Sequence, residues 1–191
     1  NSSQQLALFN ELKEKLNPDL VILQHFINDA EPYIKEPINF FLKKSYLFNL
    51  FKSRILMRSK GSYKEYYDSL YRDKTWNGNK ISLQRLNKEV VKISGKDLVT
   101  FLLPELREIK EISNLKNAYD LRKDFFEKEN FRHYDLRPFL NAVSKGDESN
   151  LWVSKEDSHS NAYANEQIST FISNTLYKEI GKSCDKKVIL K

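Results

Sequence analysis

Two short apolar runs, LVIL (residues 20–23) and LVTFLL (residues 98–103, with Thr100 as its one polar member), constrain this chain more than any other feature. A short continuous run bounded by turn residues suits a strand buried on both faces, and helices on each side of a parallel sheet provide that environment. The segment before the first run carries Leu6, Phe9, Leu12 and Leu16 at helical spacing behind a serine cap, and Asn17-Pro18-Asp19 ends it. The segment before the second, KISLQRLNKEVVKI, places Ile81, Leu83, Leu86, Val90 and Ile93 on one side, with Gly95 as the C-terminal cap. Pro104 stops the second strand. A helix over about residues 106–128 and a third, more polar strand, FRHYDL (residues 131–136), continue the alternation. A last helix over residues 161–180 turns Ile168, Phe171, Ile172, Leu176 and Ile180 inward, and Gly181 ends it.

Alternating helices and strands imply an α/β fold, an open parallel sheet with helices on both faces. Three strands are few for such a sheet, so the expectation is that its N-terminal strands are missing. Residues 30–79 interrupt the rhythm with Phe- and Tyr-rich segments (FLKKSYLFNLFKSRIL, YKEYYDSLYRDKTW) that read as a helical insertion. Its aromatics could pack as core, line a pocket or form a partner surface; helical spacing favours core. Residues 182–191, rich in lysine, read as a basic tail after a domain spanning residues 1–181.

Composition narrows the function classes. Charged residues make up 30% and hydrophobic ones 40%, the balance of a globular domain rather than a disordered one. The formal charge of +6 comes from lysines dispersed among nearly as many acids, without an Arg-rich block or RNA-binding signature, which argues against a nucleic-acid partner. Lys43 and Lys44 break the most apolar stretch, so no transmembrane segment is expected. A lone Cys184 excludes an internal disulfide.

Ligands of open α/β sheets bind beyond the carboxyl ends of the strands. Two polar clusters belong there. QHFINDAEP follows the first strand, and Asn28 within it either closes an Asx-turn or offers an amide to an oxyanion. KEDSHSN precedes the last helix. In an extended segment Asp157 and His159 point the same way, so the carboxylate can fix the imidazole tautomer as a general base requires. The plainer reading is a helix cap, by Asp157 or Asn161, with a surface histidine beside it. His25 and His133 read as packing or surface residues.

Taken in this order, the clusters resemble the SGNH hydrolase (GDSL-type esterase) family. PDLVILQHFIND resembles its third sequence block and DSHSNAYANEQIS its last, while SYLFNLFKSRI and YYDSLY resemble an inserted helical segment of a bacterial branch. Phe26 replaces the usual Gly of the third block, and Ser160 stands where that branch has Pro. The resemblance implies a three-layer, flavodoxin-like fold and an acylesterase without metal or organic cofactor. Asn28 would be the oxyanion-hole amide, His159 the base and Asp157 its orienting acid, with Glu156 as a rival for that last role. The substrate would be a small-molecule or glycan ester; the alternatives are an O-acetyltransferase acting on cell-envelope polysaccharide and a non-catalytic binding module. The Gly-Asp-Ser block that carries the family's nucleophile does not occur. KGDESN (residues 145–150) reads as a loop, and Ser2 and Ser3 read as helix-cap residues. The nucleophile is therefore expected upstream of Asn1, and this fragment alone is expected to be inactive.

Overall fold

The computed structural model describes residues 1–32 and 63–184. Helix α1 (Ser2–Leu16) is capped by Asn1, not by a serine. The Asn1 side chain accepts from the Gln4 amide while the Gln4 side chain returns to the Asn1 backbone, a reciprocal capping box. Ser2 already lies in the first turn, buried, with its hydroxyl directed at the Asp29 carbonyl. Asn17 ends the helix in the left-handed region (φ 41°), which Asn tolerates better than most residues.

Strands β1 (Ile22–Phe26), β2 (Val99–Leu103) and β3 (Arg132–Asp135) form a small open parallel sheet in the order β1-β2-β3. The register pairs Ile22 with Val99 and Phe26 with Leu103, then Val99 with Arg132 and Leu102 with Asp135. β2, the central strand, is buried at every position, Thr100 included. The first apolar run behaves differently. Its strand starts two residues late and is buried on one face only: Leu23 and His25 turn inward, while Ile22 and Phe26 remain 40% and 45% exposed. The reason is position, since β1 forms an edge of the described sheet.

One face of the sheet is covered by α1, α2 (Tyr63–Leu70), α3 (Asp73–Ser94) and α4 (Lys116–Lys128), which enclose Leu23, Leu98 and Leu102 with Leu83, Leu86, Val90 and Phe126. Lys13 of α1 pairs with Glu89 of α3 at 2.5 Å. The opposite face of β2 (Val99, Phe101, Leu103) packs against Leu140 of α5 (Arg137–Val143) and Ala164 and Ile168 of α6 (Ala162–Cys184). Successive β2 residues thus enter different cores, the two-sided covering inferred from the helix–strand alternation.

Several boundaries differ from the sequence reading. α3 begins at Asp73, inside the inserted segment, and Ile81 is 49% exposed on its outer side, leaving Leu83, Leu86 and Val90 as the packed stripe. The helix expected over 106–128 is interrupted. A 3-10 turn (Leu106–Glu108) is followed by an irregular corner in which the Glu108 carboxylate accepts from the Ser113 hydroxyl at 2.9 Å and the Asn114 amide at 2.9 Å, and α4 starts only at Lys116. α5, with proline in its first turn, was not foreseen. Gly181 does not end α6, which continues to Cys184; residues 185–191 of the basic tail lie outside the described residues. The same holds for residues 33–62 of the insertion, including FLKKSYLFNLFKSRIL. In its described part Tyr67, Tyr71 and Trp76 are buried, and Trp76 packs on Tyr71 (4.7 Å between centroids) and Phe125 (5.5 Å). No described helix is long and apolar enough to cross a membrane.

Candidate functional site

β1 runs directly into a 3-10 turn (Ile27–Ala30) that carries Asn28. Two buried donors grip this turn, and a third holds the strand that leads into it. The Tyr71 hydroxyl donates to the Ile27 carbonyl at 2.8 Å, and the Asn79 amide donates to the Ala30 carbonyl at 2.6 Å. The fully buried Arg122 guanidinium donates to the His25 carbonyl (3.1 Å) and the Leu103 carbonyl (2.9 Å), tying the ends of β1 and β2 together. Asp29, not Asn28, supplies the turn chemistry: its carboxylate accepts from the Phe26 amide at 2.9 Å and from Gln5 at 3.1 Å. The Asn28 side chain is exposed and makes no hydrogen bond among the described residues.

Burial pushes the Tyr71 hydroxyl's pKa upward, against the opposing pull of the Arg122 charge. His25 is fully buried in β1, edge-on to Phe126 at 5.7 Å, and both ring nitrogens lack partners among the described residues. Burial first, and then the Arg122 charge, hold its pKa well below the ordinary histidine value, so it is a neutral packing residue. His133 is half-buried in β3, with Nδ1 at 2.9 Å from the Phe131 carbonyl.

The second cluster lies on a loop closed at its base by an antiparallel bridge between Trp152 and Ser160. The Val153 amide donates to the His159 carbonyl at 3.0 Å, and Ser154 and Asp157 exchange backbone hydrogen bonds at 3.1 and 3.2 Å. Asn161 is the N-cap of α6: its Oδ1 accepts from the Ala164 amide at 2.8 Å, and its Nδ2 donates to the Asn150 and Trp152 carbonyls. Capping is therefore Asn161's task, which leaves Asp157 for the histidine. Asp157 Oδ1 accepts from the His159 backbone amide at 3.0 Å and lies 2.5 Å from His159 Nδ1. These contacts, the backbone one foremost, hold the Asp157 carboxyl below the usual aspartate range. Glu156 turns away to the Ser154 hydroxyl at 3.1 Å. With Nδ1 on Asp157, Nε2 of an imidazole that is 92% exposed has no hydrogen-bond partner among the described residues.

The two clusters meet. A cleft of about 170 Å³ is lined by Asn28 from the β1 turn and by Ser158, His159 and Ser160 from the loop. Ile27, Tyr67, Leu103, Leu106 and Ile168 give it apolar walls, and Glu105 contributes a carboxylate. Glu105 and Tyr67 escaped the sequence reading. Glu105 was detectable in principle, because it follows Pro104 just past the carboxyl end of β2. Tyr67 was not, because nothing in its spacing separates a cleft aromatic from the core aromatics around it.

An imidazole whose inner nitrogen is held by a carboxylate can accept a proton at its outer nitrogen. An unengaged amide across a partly apolar cleft can donate to a developing oxyanion. The hydroxyls nearest His159 are committed elsewhere: Ser158 donates to Glu105 at 2.8 Å and Ser160 to Asn165 at 2.8 Å. Ser149 of KGDESN donates to Asp147 at 2.7 Å, in a capped 3-10 turn. No family model, curated protein or solved structure matches the chain.

Proposed function

We propose that this chain supplies the base, the orienting acid and the oxyanion amide of an SGNH-type ester hydrolase, with the serine contributed by polypeptide outside residues 1–191. The observation that carries this reading is the single cleft, beyond the carboxyl ends of parallel strands, lined by both Asn28 and the Asp157-paired His159. A flavodoxin-like sheet would accommodate the described β1-β2-β3 order as its later strands.

In this mechanism His159 Nε2 takes the proton as the serine oxygen attacks the ester carbonyl, and Asp157 stabilises the imidazolium. Asn28 Nδ2 donates to the tetrahedral oxyanion, an interaction worth ~3 kcal/mol in comparable sites. Collapse expels the alcohol, which receives the proton from His159. Water, activated by the same imidazole, then releases the carboxylic acid from the acyl-serine.

Turnover of p-nitrophenyl acetate and labelling by a fluorophosphonate test the proposal. Residues 1–191 alone are expected to do neither, and a longer polypeptide that contains the serine is expected to do both. Serine-dependent turnover by residues 1–191 alone would overturn the assignment of the nucleophile. The commitment of Ser158 and Ser160 to other acceptors gives weight to a second reading, a non-catalytic module with the same cleft. Failure of the longer polypeptide to label would favour it. Transfer of acetyl to a sugar acceptor in place of water would identify an O-acetyltransferase.

A further inference from the structure

The internal stitching of the 152–160 loop fixes Asp157 against His159, but it does not fix the loop against the rest of the molecule. The Trp152–Ser160 bridge, the Val153–His159 bond and the Ser154–Asp157 turn all begin and end within the loop. The Asn161 bonds return to Asn150, Leu151 and Trp152 next door, and Ser160 reaches only Asn165 in the first turn of α6. Among the described residues, two hydrogen bonds leave the tip for another part of the fold. Ser158 Oγ donates to Glu105 Oε1 at 2.8 Å, and Arg107 donates to the Lys155 carbonyl at 3.2 Å. Both end on the corner that follows β2. The Arg107 contact is exposed, whereas Glu105 and Ser158 are half-buried in the cleft wall.

Glu105 is itself well anchored. Pro104 before it is buried, its backbone amide donates to the Tyr119 hydroxyl at 3.1 Å, and its carbonyl accepts from the Glu108 amide at 3.0 Å. Arg122, whose guanidinium lies 5.6 Å from the Tyr119 ring, also holds the Leu103 carbonyl and, through His25, the end of β1. A short chain of contacts therefore runs from the end of β1, just before the Asn28 turn, through Arg122 and the β2 corner to the histidine loop.

We infer that Glu105 is a positioning residue that sets His159 opposite Asn28 by latching the loop through Ser158. This inference rests on the esterase reading for its functional meaning, since an orienting latch matters where two groups must act on one carbonyl. A carboxylate suits the task because it accepts a charge-assisted hydrogen bond, stronger than a neutral acceptor would.

Backbone 15N relaxation and the imidazole 15N signals of His159, measured on residues 1–191, test the latch without needing turnover. In the parent chain the amides of residues 155–159 should show order parameters near the rigid value of about 0.85. Ser158→Ala and Glu105→Ala should each lower them toward about 0.6, and the double variant should go no further than either single. The Trp152 and Ser160 amides at the loop base should keep their values. Glu105→Gln, which retains an acceptor oxygen, and Ser158→Thr, which retains the hydroxyl, should restore most of the order and the parent His159 signals. Unchanged relaxation in both alanine variants would overturn the latch, whatever the esterase assay shows. In the longer polypeptide containing the serine, Ser158→Ala should lower kcat at least several-fold with little change in KM. If His159→Ala there leaves turnover intact, the esterase reading fails on its own, and the relaxation data still decide whether the latch exists.

Discussion

Tyr71→Phe removes one oxygen from the clamp around the Asn28 turn and leaves the rest of the side chain in place. The ring keeps its packing on Trp76 at 4.7 Å, so the loss is chiefly the 2.8 Å hydrogen bond to the Ile27 carbonyl, with a smaller interaction with Arg122. A neutral intramolecular hydrogen bond contributes about 0.5–1.5 kcal/mol net, and a buried group that loses its partner costs about 1–3 kcal/mol. Because the hydroxyl is fully buried, water does not replace it readily, and the expected loss is about 1–2 kcal/mol. With a urea slope of about 2 kcal/mol/M, the unfolding midpoint should fall by ~0.5–1 M with the slope unchanged. Asn79→Ala attacks the same turn at the Ala30 carbonyl. The double variant should therefore depart from additivity by at least ~0.5 kcal/mol, as neighbouring groups sharing one element do. A midpoint shift near zero for Tyr71→Phe, with strict additivity in the double variant, would refute the idea that these two donors hold the turn jointly.

Further outcomes follow from the same geometry. His159→Ala should abolish ester turnover in the serine-containing polypeptide while barely moving the urea midpoint, because the ring is 92% exposed. Asp157→Asn should lower turnover by of order a thousandfold or more, since an amide no longer fixes the proton-accepting tautomer; Glu156→Gln should have little effect, its carboxylate being turned to Ser154. His25, with its pKa lowered in the folded chain, makes the unfolded state the better proton binder. Stability should consequently fall as pH drops below the ordinary histidine value of about 6.5. Urea titrations at several pH values should show this limb disappear in His25→Leu. Tyr71 and Tyr119 have raised pKa values, chiefly from burial, so the folded chain binds protons more tightly there. Stability should decline as pH rises past the ordinary tyrosine value of about 10, and an ultraviolet titration should show these phenols ionising only on unfolding.

The reading from sequence succeeded where the local pattern and the final environment agree. LVTFLL became a fully buried central strand because helices cover both of its faces, the environment a largely apolar run suits. Gly95 ends α3 in the left-handed conformation that its position suggested. The pattern failed where tertiary placement decided the matter. LVIL and LVTFLL look alike, yet β1 lies at an edge of the described sheet and keeps Ile22 and Phe26 exposed. Pattern cannot report which strand will be central. The interruption between Leu106 and Lys116 was hidden because Glu108 ties up Ser113 and Asn114 through side-chain bonds that leave no periodic trace. At the candidate site, the Asp157–His159 contact was legible because it spans two residues. The division of labour between Asn28 and Asp29 was not, since either residue suits turn chemistry and only the surrounding donors separate them. Glu105's bond to Ser158 joins distant segments, and the sequence holds no sign of it.

The self-contained closure of the 152–160 loop has a kinetic consequence. Its bonds join residues a few positions apart, so little chain entropy is lost in forming them, and such contacts can arise within the first moments of folding. The Asn28 turn is different: Tyr71 and Asn79, which hold the turn, and Arg122, which holds the end of β1 before it, must each arrive from far along the chain, after β1 has found β2. The Asp157–His159 pair should therefore assemble early, and the cleft that it lines should be among the last parts to close. Pulse-labelled hydrogen exchange should protect the Val153 and Asn161 amides at the loop base no later than those of β2, with the tip at Ser158 becoming ordered only after the β2 corner brings Glu105 to it.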